Sequence, residues 1–572
     1  MRSSATTRAD EPRGHAESWW REGVIYQVYP RSFQDSDGDG VGDLAGIQKR
    51  LGYLARLGVD AIWLNPFYPS PMLDFGYDVC DHADVDPLFG TLADFDALLA
   101  DAHAHGLRVL IDFVPNHTSS EHPWFRDARS SRTSSKRDWY FWRDPRPDGS
   151  PPNNWASPFG GSLWTLDERS GQYYLHTFHP EQPDLNWRNP DVERAMLDVL
   201  RFWLERGVDG FRIDVANFVL NDPQLRDNPP NPTAGTSSYK YLGHYDTQLH
   251  LHDKGHPDCH PLYRRIRRLL DSYSRDGSDR IALGEIHLYE WPEWTRHWAA
   301  YYGEQQDELH LPLNFTLVGL RWQADAFRAA VDEIEAVLPA GAWPNLALGS
   351  HDESRIATRI GREQAKVAIM LLLSLRGTPI LYYGDELGME DVAVPVDCAR
   401  DPFGLLDPAL GRDPERTPMQ WDDGPNAGFC PAGVQPWLPL ADNHAAVNVA
   451  RQRDDPDSPL ALTKRLLSAR RSIAALRRGD YEPLDAPGGC FAYLRTLEGE
   501  RVLVALNYRE EALELLLPDR GRILVSCLPG RDGELVGRTL HLQSNEGCLL
   551  ELGESRTSRG VSTPIAAAEA EA

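Results

Sequence analysis

Residues 210–215 read Gly-Phe-Arg-Ile-Asp-Val, a short run of apolar and β-branched residues with a carboxylate near its end. Such a run is typical of a buried strand. The stretch before it, residues 192–206, is long and amphipathic, which is typical of a helix that packs against a sheet. A helix followed directly by a buried strand is the repeating unit of a mostly parallel sheet with helices outside it.

The same alternation extends in both directions from this stretch, with further helical segments such as residues 92–105. Eight strand-and-helix units in one chain predict an α/β fold, the (β/α)8 TIM barrel. The predicted strands are Val24–Tyr29, Ala61–Asn65, Arg108–Phe113, Gly210–Val215, Ile281–Glu285, Glu308–Asn314, Asn345–Gly349 and Pro379–Tyr383.

Two regions depart from the barrel pattern. The segment between the third and fourth strands is rich in Trp, Pro, Ser and Gly and is far longer than an ordinary connection, which predicts an inserted subdomain on the catalytic face. After a basic helical stretch, short alternating segments predict a C-terminal antiparallel β-sandwich. The expected division is a disordered tail (1–18), barrel (19–115 and 188–479), inserted subdomain B (116–187), β-sandwich (480–552) and a second disordered tail (553–572).

Composition narrows the class of protein. A chain of 572 residues with 41% apolar residues and no long apolar run is expected to be soluble. Its formal net charge of −26 repels phosphate backbones and anionic lipids, so we expect no nucleic-acid partner and no membrane partner. Scattered cysteines and a polar N-terminus predict a cytoplasmic location, and we expect a monomer or weak homodimer.

Carboxylates lie at the ends of several predicted strands, notably Asp214, Glu285 and Asp352. In a parallel barrel the carboxyl ends of all strands meet at one rim, so these three residues are expected to share a pocket. A pair of carboxyl groups about 5–5.5 Å apart can break a glycosidic bond with retention of configuration. A lone carboxylate at a strand end is more often a helix cap, but several on successive strands favour catalysis.

These motifs resemble those of the α-amylase family of glycoside hydrolases over about residues 19–552. The segments that carry the resemblance are Asp112-Phe-Val-Pro-Asn-His117, Gln182-Pro-Asp-Leu-Asn186, Gly210-Phe-Arg-Ile-Asp214, Gly284-Glu285-Ile286 and His351-Asp352. A closer similarity to bacterial α-glucosidases and oligo-1,6-glucosidases is carried by Trp20-Arg-Glu-Gly-Val-Ile-Tyr-Gln-Val-Tyr29, Asp74-Phe-Gly-Tyr77-Asp78 and Arg416-Thr-Pro-Met-Gln-Trp421.

The resemblance implies a role for each matching residue. Asp214 would be the nucleophile, Glu285 the general acid/base, and Asp352 the carboxylate that stabilises the transition state. His117 and His351 would bind sugar hydroxyls, Tyr77 would stack on the sugar, and Asp74 with Arg416 would grip its non-reducing end. The weaker candidates for the leaving-group side are Phe159 and Phe178.

Strand geometry supports two electrostatic expectations. Arg212 lies two residues before Asp214 and projects to the same face, so it is expected to hold Asp214 ionised. Glu285 ends an apolar strand, whose surroundings are expected to raise its pKa enough for a proton donor.

An acidic loop follows the first strand. Carboxylates alternate with glycines in Asp35-Ser-Asp37-Gly-Asp39-Gly-Val41-Gly-Asp43, so their oxygens can surround a hard cation. Four aspartates would repel a phosphate, and the alternative is a solvated acidic turn. The resemblance implies a structural Ca²⁺ held by these carboxylates and the Val41 carbonyl, with Mg²⁺ left open.

A histidine-rich segment in the loop after the fourth strand matches no standard zinc spacing, and we interpret it as a solvated loop. Its members are His244, His250, His252, His256 and His260.

The resulting expectation is a retaining α-glucosidase that acts on short α-glucosides of the maltose, isomaltose, sucrose or trehalose type. An α-glucosyltransferase or a disaccharide isomerase such as trehalose synthase would use the same carboxylates. A non-catalytic scaffold resembling transporter heavy chains is disfavoured because Asp214, Glu285 and Asp352 are all present.

Three positions beside the expected catalytic groups bear on substrate preference. Ser350 stands where the family more often has Asn, and Glu353 also departs from the usual pattern. Val215 follows the expected nucleophile, and in similar enzymes valine there accompanies acceptance of α-1,6 bonds.

Overall fold

A computed structural model describes residues 18–235, 242–275 and 278–553. Apart from Ser18 and Gly553, both predicted tails lie outside the described residues.

Within the described residues, eight parallel strands form one sheet in the order β7-β8-β1-β2-β3-β4-β5-β6. A parallel bridge between Asn314 and Leu346 joins the ends of β6 and β7, so the sheet nearly closes into a barrel. This confirms the predicted TIM-barrel fold. The strands are β1 Ile25–Val28, β2 Ala61–Leu64, β3 Arg108–Phe113, β4 Gly210–Ile213, β5 Ile281–Glu285, β6 Leu311–Leu313, β7 Asn345–Ala347 and β8 Thr378–Tyr382.

A helix follows each strand, and local sequence signals set its ends. Thr91 and Asp94 form a capping box at the start of α2, and Gly58 ends α1 with a φ of 104°, which favours glycine. The helices are α1 Leu44–Leu57, α2 Leu92–Ala104, α3 Pro190–Arg206, α4 Cys259–Tyr273, α5 Trp294–Ala299, α6 Ala324–Val337, α7 Arg362–Ser374 and α8 Pro459–Ser472.

Shorter helices lie in the connections between these elements. They are Trp19–Glu22, Pro30–Phe33, Pro123–Ser130, Thr316–Gly319, Ile356–Ile360, Pro402–Leu406, Val449–Arg453 and Ala474–Arg478.

The long connection between β3 and α3 contains an antiparallel sheet of its own. Its strands are Trp142–Arg143, Gln172–Leu175 and Trp164–Asp167, in that spatial order. Bridges from His117 to Asp184 and from Tyr140 to Leu185 tie this region to the end of β3. The insertion is therefore anchored at the rim where the strand ends meet.

The C-terminal region is antiparallel, as predicted. In the described chain one sheet has six strands, Asp480–Leu484, Cys490–Leu497, Glu500–Asn507, Gly547–Leu552, Gly521–Ser526 and Leu535–Val536. Leu513–Leu516 and Thr539–Leu542 pair in a second sheet, and apolar residues of both sheets share one buried cluster. Gln364 of α7 donates to Asn545, which helps to fix this region against the barrel.

Across the three described ranges, the helices are all too short or too polar to traverse a lipid bilayer.

Candidate active site

The predicted catalytic residues come together at the carboxyl ends of the barrel strands. Asp214 follows β4, Glu285 ends β5, and Asp352 follows β7. All three line one cavity of about 710 Å³. The other predicted residues that line it are Asp74, Tyr77, His117, Phe159, Phe178 and His351.

Arg212 lies between two of the carboxylates and is itself only 1% exposed. Its Nη1 donates to Asp214 Oδ1 at 2.7 Å, and its Nη2 donates to Glu285 Oε2 at 2.5 Å. Nη1 also donates to Asp112 Oδ1 at 2.6 Å. The guanidinium therefore contacts Asp214 as expected, and it holds Glu285 at the same time.

This arrangement reverses the predicted pKa directions. Burial raises the pKa of Asp214 well above its ordinary value, Arg212 opposes the rise, and the charge of Glu285 adds to it. Burial also acts to raise the pKa of Glu285, but Arg212 and His287 outweigh it and lower that pKa to about 2. The expectation of a raised pKa for Glu285 is not met because Arg212 serves both carboxylates instead of Asp214 alone.

Asp352 is held by two arginines through one oxygen. Arg412 Nη1 and Arg416 Nη2 donate to its Oδ1 at 2.9 and 2.8 Å, and His351 Nε2 lies 3.2 Å from its Oδ2. Burial acts to raise the pKa of Asp352, but His351 and the two arginines outweigh it and keep that pKa below its usual range. Asp352 therefore carries its negative charge at neutral pH.

The partner of Asp74 differs from the predicted one. Arg412 Nη2 donates to Asp74 Oδ1 at 2.9 Å and also to Asp401 Oδ1 at 2.6 Å. Arg416 instead donates to Asp352 and to the His351 carbonyl, and it lies behind the cavity lining at 1% exposure. The fork of Arg412 thus joins the region after β2 to the regions after β7 and β8. The sequence Gly411-Arg-Asp-Pro-Glu-Arg416 contains both arginines, so only geometry separates them.

Five residues from the loops after β2, β3, β7 and β8 form what we call the polar side of the cavity, namely Asp74, Tyr77, His117, His351 and Arg412. The Tyr77 ring stacks on His351 at 5.6 Å, and its hydroxyl lies 2.8 Å from His351 Nε2. Gln182 Nε2 donates to Asp74 Oδ2 at 3.0 Å and lies 3.2 Å from His117 Nε2. Each polar side chain is therefore oriented by a neighbour.

The loops after β4, β5 and β6 form the aromatic side of the cavity, which we define as Val215, Phe218, Tyr289, Trp291 and Phe315. Val215 has a φ of 37°, which a β-branched residue rarely adopts. Its N–H donates to Glu285 Oε2 at 3.0 Å, so this unusual backbone places a donor on the predicted acid/base. Strain of this kind is frequent at functional sites.

The two predicted phenylalanines lie between these sides. Phe159 stacks on Phe403 at 3.9 Å, which brings the inserted region into contact with the loop after β8. Phe178 packs edge-on against His117 at 5.3 Å. Ser350 and Glu353 also line the cavity, and Ser350 Oγ accepts from the Asp352 N–H at 3.2 Å.

The histidine-rich loop does not assemble a zinc site, and the expectation of a solvated loop is wrong at His250, which is fully buried. His250 contacts Asp253 at 2.5 Å, His260 contacts Glu308 at 2.8 Å, and His256 lies 3.3 Å from Asp258. Among the described residues, the one group of side chains placed to share a metal ion is Asp35, Asp37 and Asp39.

Ligand atoms of Asp35, Asp37 and Asp39 lie within 4.8 Å of one another, and such oxygens suit a hard cation. Burial raises the pKa of Asp39, and the charges of neighbouring aspartates add to the rise. A cation would relieve that repulsion. Asp43 is engaged elsewhere, since it accepts from the backbone of Ser36 and Gly46 and caps α1.

Comparisons with known proteins identify the family of this chain. The family model described as alpha amylase, catalytic domain, matches residues 27–479. A probable alpha-glucosidase of Rhizobium meliloti (strain 1021) is 43% identical over 511 residues, which cover 87% of this chain and 91% of the relative.

Two solved structures are also similar. The alpha-glucosyl transfer enzyme XgtA has a TM-score of 0.87 at 43% identity, covering 94% of this chain and all 100% of that one. The trehalulose synthase MutB from Pseudomonas mesoacidophila MX-45 has a TM-score of 0.83 at 33% identity, covering 94% of this chain and 99% of that one. The chain belongs to the alpha-amylase family.

Proposed function

We propose that this protein is a retaining α-glucosidase that releases glucose from the non-reducing end of short α-glucosides. The observation that carries the proposal is the polar side of the cavity, where Arg412 bridges Asp74 and Asp352. This bridge closes the cavity around one terminal sugar instead of leaving a groove for a long chain. The α-glucosidase and glucosyl-transfer relatives support the same substrate class.

In the first chemical step an Asp214 oxygen bonds to the anomeric carbon while the glycosidic bond breaks. Glu285 gives its proton to the departing oxygen. Asp352 lies beside the ring and stabilises the positive charge that develops there, since its own charge is maintained by Arg412 and Arg416.

In the second step Glu285, now ionised, takes a proton from water, and that water oxygen replaces Asp214 at the anomeric carbon. Arg212 contacts both carboxylates throughout, so it stabilises whichever of them carries the charge. Two displacements at one carbon return the α configuration in the released glucose.

The polar side accounts for the choice of glucose as the transferred sugar. Asp74, His117, His351 and Arg412 offer hydrogen bonds at fixed positions, and a site built to pair with hydroxyls rejects sugars that lack them. The substrates we infer are maltose, isomaltose, sucrose and trehalose types.

A second candidate is a glucosyltransferase or a disaccharide isomerase, and the aromatic side is the observation that favours it. Flat apolar residues such as Phe218, Trp291 and Phe315 can retain a sugar or another acceptor after the first step. Attack by an acceptor hydroxyl in place of water would give a new glucoside. The similarity to XgtA and MutB supports this alternative.

We also propose that the loop 35–43 binds a structural Ca²⁺. Asp35, Asp37 and Asp39 would supply carboxylate oxygens, with Val41 and Asp43 nearby in the same loop. Asp35 accepts backbone N–H groups from Gly38 and Gly40, so the loop is already wrapped around this carboxylate. Mg²⁺ is the alternative ion.

The test of the proposed function is a panel of α-linked glucose disaccharides, scored by kcat/KM with transfer products quantified. Hydrolysis is expected to dominate at low substrate concentration. If more than half of the cleaved bonds end in transfer products at all concentrations, the protein belongs to the second candidate. Absence of activity on every disaccharide, with the Asp214→Asn variant as the blank, would reject both.

A further inference from the structure

His287 lies two residues after the predicted acid/base and contacts it directly. Its Nε2 is 2.8 Å from Glu285 Oε1. The imidazole stacks on Phe315 at 5.9 Å and meets Tyr289 edge-on at 6.0 Å. The ring is thus held beside Glu285 by the aromatic side of the cavity.

The other Glu285 oxygen is occupied by different donors. Oε2 accepts from Arg212 Nη2 at 2.5 Å and from the Val215 N–H at 3.0 Å. Oε1 is consequently the oxygen that faces His287. This division separates the oxygen that is fixed in place from the oxygen that is available for proton transfer.

The main chain of His287 is fixed as well. Its N–H donates to Asn217 Oδ1 at 2.9 Å, and Asn217 Nδ2 donates back to its carbonyl at 3.0 Å. The side chain is 26% exposed and lines the cavity. His287 therefore lies between the Glu285 carboxylate and the cavity, through which protons can reach it.

We propose that His287 is a positioning residue that holds Glu285 Oε1 and stores the proton that Glu285 donates to the leaving group. The inference rests on the proposed glucosidase function and assigns one more residue to it. It explains how a carboxyl group with three donors around it can still act as an acid.

The proton balance is simple. Before cleavage the proton lies on His287 Nε2, opposite ionised Glu285. As the glycosidic oxygen approaches, the Nε2–H bond breaks and an Oε1–H bond forms, which leaves a neutral imidazole and a carboxylic acid. The Oε1–H bond then breaks as the leaving oxygen takes the proton. Attack by water on the glucosyl ester later returns a proton through Glu285 to His287.

Other charged groups face this cluster from the neighbouring loops. Arg212 contacts both carboxylates, and Asp352 acts on Glu285 across the cavity. The other titratable groups that line the cavity from the loops after β4, β5 and β7 are Tyr245, Asp246, Lys254, Tyr289, Glu290 and Glu353. Lys254 and Glu290 form an ion pair at 2.8 Å.

The test uses His287→Gln, in which an amide keeps a polar group near Glu285 but cannot store a proton. We expect kcat/KM for maltose to fall tenfold or more, within the range of general acid catalysis. We expect kcat/KM for α-glucosyl fluoride, whose leaving group needs no proton, to fall less than about threefold, and this activity also reports correct folding.

The pH profile adds a readout that a structural role would not move. On this proposal the basic limb of kcat/KM in the wild type reports loss of the proton that Glu285 and His287 share. In His287→Gln only a carboxyl remains, so the limb shifts to lower pH by about one unit or more. The matched control is His256→Gln, which removes another histidine–carboxylate contact away from the cavity lining and leaves the profile unchanged.

The outcomes separate this inference from the proposed function. If wild-type protein cleaves neither substrate, the function is wrong. If wild-type protein is active but His287→Gln keeps the basic limb in place and loses activity equally on maltose and fluoride, the proton-storage role is wrong.

Discussion

The two sectors of the barrel rim are built in different ways. The polar side comes from the loops after β2, β3, β7 and β8. It is a connected network in which one residue, Arg412, contacts the three carboxylates of Asp74, Asp352 and Asp401. The aromatic side, from the loops after β4, β5 and β6, presents mostly rings and the apolar Val215. In the sheet order these sectors are contiguous, so the barrel rim divides into one sector with the Arg412 network and another in which rings and Val215 lie beside polar pairs such as Lys254 and Glu290.

The difference between the polar and aromatic sides indicates which part of the substrate each side recognises. Fixed hydrogen-bond partners discriminate strongly between sugars, whereas an apolar wall discriminates weakly. Under the proposed function, the polar side would specify the transferred glucose, and the aromatic side would contact the leaving group or acceptor.

The largest expected effect comes from removing the nucleophile Asp214, which is not one of the residues that define either side of the cavity. Asp214→Asn keeps the shape of the side chain but cannot form the glycosyl ester. We expect at least a thousandfold loss of kcat, about 4 kcal/mol, on every substrate regardless of its leaving group. Retention of more than about a tenth of wild-type kcat in purified protein would remove Asp214 from the mechanism.

The next largest effect is expected from removing the Arg412 contacts of the polar side. Arg412→Ala leaves the buried carboxylate of Asp74 without its ion-pair partner and Asp401 with only Arg416 at 3.8 Å, and breaking such a buried pair costs about 3–5 kcal/mol. We expect kcat/KM for maltose to fall about a hundredfold or more, with a lower melting temperature. Arg194→Ala is the matched control, because its ion pair with Asp191 is exposed on both sides. Equal kinetics in the two variants would show that Arg412 does not close the cavity.

A smaller effect is expected from the loop 35–43, which is connected to the polar side of the cavity through aromatic residues. The loop 35–43 contacts Trp437 through the Gly40 carbonyl, Trp437 packs on Tyr29, and Tyr29 stacks on His351. Under the proposal that this loop binds Ca²⁺, chelation is expected to lower the melting temperature by a few degrees, because it removes an ion that would bind only the folded state.

Asp37→Asn is the control for chelation, because this exposed residue can be changed without disturbing the core. The variant should melt at the temperature of the chelated wild type and respond no further to chelator. An unchanged melting curve after exhaustive chelation, with no metal found by elemental analysis, would rule out a metal site in the loop 35–43.

The smallest expected effect comes from a substitution on the aromatic side, at Val215. Thr has the shape of Val, so Val215→Thr keeps the unusual backbone and adds one hydroxyl to the wall. We expect the maltose-to-isomaltose ratio of kcat/KM to rise several-fold, about 1 kcal/mol, the contribution of one neutral hydrogen bond. An unaltered ratio would place linkage preference in other residues of the loops.

The sequence was sufficient to predict the barrel because its strands are short apolar runs separated by capped helices. It also predicted which carboxylates share the rim, since parallel strands end at one edge. It could not predict that Arg412 and not Arg416 pairs with Asp74, because both arginines lie in one irregular loop.

The electrostatics were harder to predict than the positions. Arg212 was expected beside Asp214, but its second nitrogen reaches Glu285 on the adjacent strand, and register alone does not reveal that. His287 was missed because one histidine near a strand end carries no motif. Its spacing of two from Glu285 places it on the same side of the chain, and this was the available signal.

The most direct test of the central claim is the anomeric configuration of the first glucose released. Proton NMR of the reaction with α-glucosyl fluoride, whose leaving group is not a sugar, distinguishes the two stereochemical courses when it is recorded before mutarotation equalises the anomers. Double displacement through Asp214 predicts that α-glucose appears first and β-glucose follows slowly. Initial release of β-glucose would contradict the account, because it requires a single displacement in which Asp214 forms no bond to the sugar.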